Sequence, residues 1–159
     1  MSTTQTQDTT VHASISVDAP PEQAFETFTV DIGSWWPAEH HLLDGELAEM
    51  VFEPRVGGHV YDRAVDGKEC RWARVLAYEP PRRVVISWDI SMQWQVETDP
   101  ARTSEVEVRF TPEGDGTLVE LEHRHIERHG EGWEKMRDAV GSPDGWGKGL
   151  RAFAERLVA

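Results

Sequence analysis

The chain has one cysteine, Cys70, in 159 residues. A single thiol can neither close an internal disulfide nor build a cysteine metal site, so stability must come from packing. Positive charge is also scarce: 16 Lys and Arg stand against 29 Asp and Glu, giving a net charge of −13. That balance repels phosphate backbones and anionic lipid surfaces, which argues against nucleic acid and membrane as partners. The opening stretch MSTTQTQDTT has no basic start and no apolar run. Neither a signal peptide nor an anchor is expected there, and a soluble cytoplasmic protein is the default expectation. No P-loop, no dinucleotide-binding glycine pattern and no Ser-His-Asp signature occurs. Gly57-Gly58 lacks a following helix and reads as a turn. Cys70 has no base near it in sequence, which leaves a nucleophilic role unsupported.

What is present belongs to a packed domain. The apolar fraction is 38% and there are seven tryptophans, which is not the composition of a disordered chain. The length suits one domain, able to bury ~68–70% of the surface its unfolded form exposes. Residues 1–10 are expected to be a disordered tail and residues 11–159 a single domain. VHASISVD alternates apolar and polar residues, the period of a strand. In APPEQAFETFTVDI the two prolines suit a first helical turn with Asp18 or Ala19 as cap. Phe25, Phe28, Ile32 and Trp36 recur at helical spacing, with Gly33 and Pro37 setting off a short separate last turn. LAEMVFEP, GGHVYDRA and ECRWARVLAYE read as strands divided by turn residues. RVVISWDISMQWQV alternates from Val84 to Val96, predicting a strand with one apolar and one mostly wet face, its tail open to either strand or a loop that continues the pattern. SEVEVRF and LVELEHRH continue as strands around the turn EGDGT. Trp133, Met136 and Val140 make a short helical stripe. Ser142 as cap and Pro143 as first residue then open a closing helix over roughly 143–158, with Trp146, Leu150, Phe153 and Leu157 on one face. The order β, α, a run of antiparallel strands, α predicts an α+β fold with one curled sheet and its helices on one side.

The succession GSWWP, FEPRVGGHVYDR, DGKECRWARVLAYEPPRRVVISWDI, EVEVRF and LVELEHRHIERHGEGW resembles the SRPBCC, START-like (Bet v 1-like) superfamily. It is most similar to the branch related to the activator of Hsp90 ATPase. The resemblance implies a helix-grip fold: a curved antiparallel β-sheet wrapped around a long carboxy-terminal α-helix, with an internal cavity. Members carry lipids, sterols or polyketides, some cyclise polyketides, and some bind chaperones. No single catalytic motif unites them, so the resemblance carries over a cavity and no catalytic residue.

His123 and His125 fall on the strand face that also carries Val119 and Leu121, so both imidazoles are expected at the pocket or its rim. The strand ends soon after, which favours the rim, where water reaches. His59 and Tyr61 are candidates for the same face. His129 lies beyond the strand end and need not join them. A metal site would need Glu53 or Glu69 to converge on the two histidines, and no metal is expected. Trp36, Trp88, Trp94 and Trp146 lie on apolar stripes, and Met92 could add an adaptable wall. The expected ligand-binding set is Trp36, His59, Tyr61, Ile86, Trp88, Met92, Val108, Leu121, His123, His125, Trp146 and Phe153. Glu105, Glu107, Glu120 and Glu122 belong to the opposite, solvated face, with Arg124 bridging to them or to a neighbouring strand.

Three functions compete. The first, which needs least, is binding of a small hydrophobic or aromatic molecule, lipid- or polyketide-like, with no cofactor. The second is an enzyme in the same cavity, cyclase- or hydrolase-like, with His123, His125 or His59 as acid or base. The third is a chaperone-associated interaction module. Oligomeric state is left open, a homodimer included.

Overall fold

The structure, a computed structural model, describes residues 9–37 and 45–158. Strand β1 (Val11–Val17) leads into helix α1 (Pro21–Phe28) and a 3₁₀ turn at Ile32–Ser34. Four strands follow: β2 (Leu47–Phe52), β3 (His59–Ala64), β4 (Glu69–Glu79) and β5 (Arg83–Trp88). After a 3₁₀ turn at Pro100–Arg102 come β6 (Ser104–Glu113) and β7 (Gly116–Arg124). A 3₁₀ turn at Ile126–His129 leads to helices α2 (Trp133–Gly141) and α3 (Trp146–Val158). All seven strands form one antiparallel sheet in the order β1-β7-β6-β5-β4-β3-β2. The sheet curls into a half-barrel and its concave face grips the carboxy-terminal helical segment, an α+β helix-grip fold.

Local chemistry explains where the elements begin and stop. The α1 cap is Pro20 in extended backbone, with Pro21 inside the first turn; neither Asp18 nor Ala19 takes that role. Two rigid prolines need no N–H there. The helix ends where Thr29 turns both its N–H and its hydroxyl onto the Phe25 carbonyl. Phe25, Phe28 and Ile32 are buried as their spacing predicts, and Trp35 is buried beside them. The closing helix starts later than residue 143. Ser142 terminates α2, its N–H and hydroxyl both reaching the Ala139 carbonyl. Gly145 makes the corner, because a Cβ there would stand 2.2 Å from the Val140 carbonyl oxygen. Thr9 already belongs to the fold, its carbonyl accepting from Ile126. The rest of the expected tail lies outside the described residues.

The long alternating stretch from Val84 is a strand only as far as Trp88. Beyond it, a single bridge joins Ile90 to Val96, and Trp94 sits at φ 58 with 47% of its surface exposed. Trp94 therefore leaves the apolar stripe. The second face of β5 is not wet either: Val85 and Ser87 are buried. What covers that face is a layer of arginine stems and carboxylates. Glu107, beside Val85 in register, is 4% exposed and accepts from Arg83, Arg109 and Arg124. Its carboxyl is held down to about 2, with burial opposing and the three guanidinium bonds outweighing it. Arg124 also reaches Glu105 on the neighbouring strand and Glu122 on its own, the expected bridges. Glu107 thus departs from the solvated role expected for it. Removing its charge leaves three guanidiniums sharing one neutral amide oxygen beside an NH2 group that can only donate. Glu107→Gln should cost about 1.5–3 kcal/mol in urea unfolding at neutral pH, the range for hydrogen bonds to a charged group. A loss under a few tenths would mean the layer is mere decoration.

Candidate functional site

The sheet register builds the inner face. Trp88 lies opposite Ser104, Val106 opposite both Ile86 and His123, and Val108 opposite Leu121. All of these side chains are buried. Helix α3 brings Phe153, fully buried, and Trp146 onto the same patch. Trp88 meets Trp72 at 5.8 Å, Trp146 at 5.3 Å and the His123 ring at 5.2 Å between centroids. Trp36 stacks toward Trp72 at 5.1 Å and touches Trp146 at 5.9 Å. Four indoles from the loop after α1, β4, β5 and α3 therefore share one aromatic wall, with Trp36 half-buried at its margin. Met92 packs half-buried against it.

His123 stands in this wall with none of its surface exposed. It is not at a watered rim; each ring nitrogen instead has a protein partner. Trp146 Nε1–H donates to His123 Nδ1 at 3.0 Å, and His123 Nε2 lies 2.6 Å from Ser104 Oγ. Ser104 Oγ in turn lies 2.7 Å from His129 Nε2. Burial, with a small push from His129, drives the His123 pKa down to about 3, so the ring is neutral. His129 is lowered as well, by burial first. Two buried polar atoms of this cluster, Trp88 Nε1 and His129 Nδ1, have no hydrogen-bond partner among the described residues.

His125 and His129 exchange the parts expected of them. Strand β7 stops at Arg124, and His125 takes left-handed backbone at φ 61, ψ 33. It opens the 3₁₀ turn and so leaves the face of His123. The turn then carries His129 back onto Ser104. His59 and Tyr61 also lie apart. They flank Val60 on β3, whose side chain is in the core, so theirs point to the other face. There Tyr61 accepts from Arg63 and lies under the Arg63 and Arg71 guanidiniums, while His59 sits beside Glu53. Glu69 pairs with Arg63 and Arg71. Neither carboxylate weighed for a metal converges on His123. Among the described residues no group of three His, Cys, Asp or Glu is arranged to hold a metal ion. Cys70 is half-buried on β4, its thiol pushed up by burial and then by Asp62. Among the described residues no helix is long and apolar enough to cross a membrane.

Trp36, Ile86, Trp88, Met92, Val108, Leu121, His123, Trp146 and Phe153 are thus drawn together, and His59, Tyr61 and His125 are not. Ser104, His129 and Trp72 complete the cluster. Ser104 was within reach of period two, since it precedes Val106 and Val108 on the same face. His129 gave no sequence signal, because its place depends on the left-handed turn at His125.

The family model described as "Activator of Hsp90 ATPase homolog 1-like protein" matches residues 18–157. Among curated proteins no sequence match is found. Several solved structures share the fold. An anthrahydroquino-γ-pyrone synthase, Txn09, is 41% identical, with 92% of this chain and 95% of that one covered at a TM-score of 0.65. The self-sacrificing resistance protein CalC from Micromonospora echinospora is 26% identical over 94% of each chain, with a TM-score of 0.64. The Aha1 dimer from Colwellia psychrerythraea is 16% identical over 93% of this chain and 95% of that one, TM-score 0.61, a likeness of fold alone. With the family match spanning nearly its whole length, the chain belongs to the Activator of Hsp90 ATPase homolog 1-like family of the SRPBCC superfamily.

Proposed function

We propose that this protein binds a flat, polycyclic aromatic molecule of the polyketide type between its sheet and closing helical segment, and holds it folded for closure of an oxygen-containing ring. The observation that carries the reading is the 41% identity to an anthrahydroquino-γ-pyrone synthase across almost the full length of both chains. The aromatic wall agrees with it. Indole faces from four separate elements offer stacking surface to fused rings, and buried N–H groups offer polar anchors. Ring closure here is a matter of orientation: a phenol oxygen held against a side-chain carbonyl carbon forms the C–O bond, and one water leaves.

The test has two arms. Titration with a hydroxyanthraquinone should quench tryptophan fluorescence saturably at one ligand per chain. Trp36→Ala, at the margin of the core, should weaken that binding about twofold to twelvefold, the worth of about 0.5–1.5 kcal/mol of aromatic contact. An anthrahydroquinone carrying a 1,3-diketone chain beside its phenol should then be converted, faster than without protein, to a product lighter by one water. Binding without acceleration would leave a carrier. No saturable binding would end the reading altogether.

A further inference from the structure

The hydrogen-bond chain through His123 has only one direction it can run. An indole N–H donates and cannot accept, so Trp146 forces His123 Nδ1 to be the acceptor. A neutral His123 then carries its proton on Nε2 and donates it to Ser104 Oγ. The Ser104 oxygen could accept twice, but among the described residues its hydroxyl has no acceptor within reach other than His129 Nε2, so its proton is directed there. A neutral His129 must therefore carry its own proton on Nδ1. That nitrogen is buried without a partner on a residue 2% exposed. Trp88, whose ring packs on His123, holds a second buried N–H in the same condition. A buried donor left without an acceptor forfeits its hydration with nothing in return, and two in one cluster is a pattern that a ligand relieves.

We propose that His129 Nδ1–H, oriented by Trp146 through His123 and Ser104, donates a hydrogen bond to a carbonyl or quinone oxygen of the bound aromatic molecule. This rests on the binding reading above and names the ligand's recognised group. The same chain also decides what His129 cannot do. Giving its Nδ1 proton away would have to be made good from Ser104, and then from His123. That would leave an imidazolate buried beside Trp146, a charge with no counter-ion. The chain delivers a hydrogen bond and no net proton, so His129 is a positioning residue and not an acid.

Histidine side-chain nitrogen NMR of the intact protein at neutral pH tests the orientation without any variant. His123 should be protonated on Nε2 and His129 on Nδ1. Finding His129 charged, or protonated on Nε2 alone, would overturn the proposal. The recognised group is tested with 9,10-anthraquinone and anthracene, ring systems of one shape that differ in their oxygens. The quinone should bind more tightly to the parent protein. In His129→Phe its affinity should drop about twofold to twelvefold, the worth of one neutral hydrogen bond, while anthracene affinity stays. Equal binding of the two in the parent, or an unchanged preference in the variant, would reject the anchor and leave the aromatic-binding reading intact. Binding of neither would remove both.

Discussion

Lowering the pH from 6.5 to 4.5 should strip about 2 kcal/mol of folding stability through His123 alone. The ring is fully buried between Trp88, Trp146 and Ser104, and no carboxylate is bonded to it. Its pKa is depressed from 6.5 in the unfolded chain to about 3 in the folded one. Between those values the unfolded chain binds a proton that the folded chain refuses, so stability falls as pH falls, by about 1.4 kcal/mol per unit. Well above 6.5 neither state is protonated and the contribution is flat. His129, also lowered, adds to the same slope, with Glu97 and Asp89 opposing its shift and Arg102 assisting it. Glu107 joins only at lower pH: its depressed carboxyl gives stability present above 4.5 and lost as pH falls toward about 2. Urea unfolding at a series of pH values, for the parent and for His123→Gln, isolates the effect. The variant should lose one proton's worth of slope between pH 6.5 and 4.5, whatever its absolute stability. Parallel curves would mean that His123 is reached by water after all.

Phe153→Ala should destabilise the fold by about 3–5 kcal/mol, the cost of removing a buried phenylalanine together with the cavity it leaves. The ring is fully buried, 5.3 Å from Phe28 and 5.5 Å from Trp35 between centroids. It is one of the contacts by which α3 locks onto α1 and the segment after it. The neighbours that could collapse into the gap are themselves rigid aromatics, which favours the upper part of the range. Denaturant unfolding at pH 7.5 gives the value directly. A loss below about 2 kcal/mol would mean that the site relaxes, or that the helix already borders open space. Trp88→Ala separates those cases. If ligand space lies against its indole, that variant should cost less than Phe153→Ala although more atoms are removed.

Period two gave away the strands because burial on one face is all that alternation needs, and the register of β5, β6 and β7 follows from Val84, Val106 and Leu121 lying inward. The same logic put Trp88, His123 and Trp146 together before any coordinates, since strand and helix stripes must meet in one core. It misread Trp94, because a loop can continue an alternating pattern with nothing to pack on. It misread His125 for a different reason. One residue in left-handed backbone ends the strand, and no local pattern announces it. Period two is equally blind to what covers a sheet's outer face, so Glu107 looked wet until Arg83, Arg109 and Arg124 closed over it from three strands. By itself, then, the sequence determined the sheet, the closing helix and three of the four indoles of the aromatic wall, Trp36, Trp88 and Trp146, all consequences of periodic burial. Only the tertiary structure decided that His129 and not His125 joins His123 through Ser104, and that Trp146 orients their protons, because a hydrogen bond depends on where separate elements place two atoms.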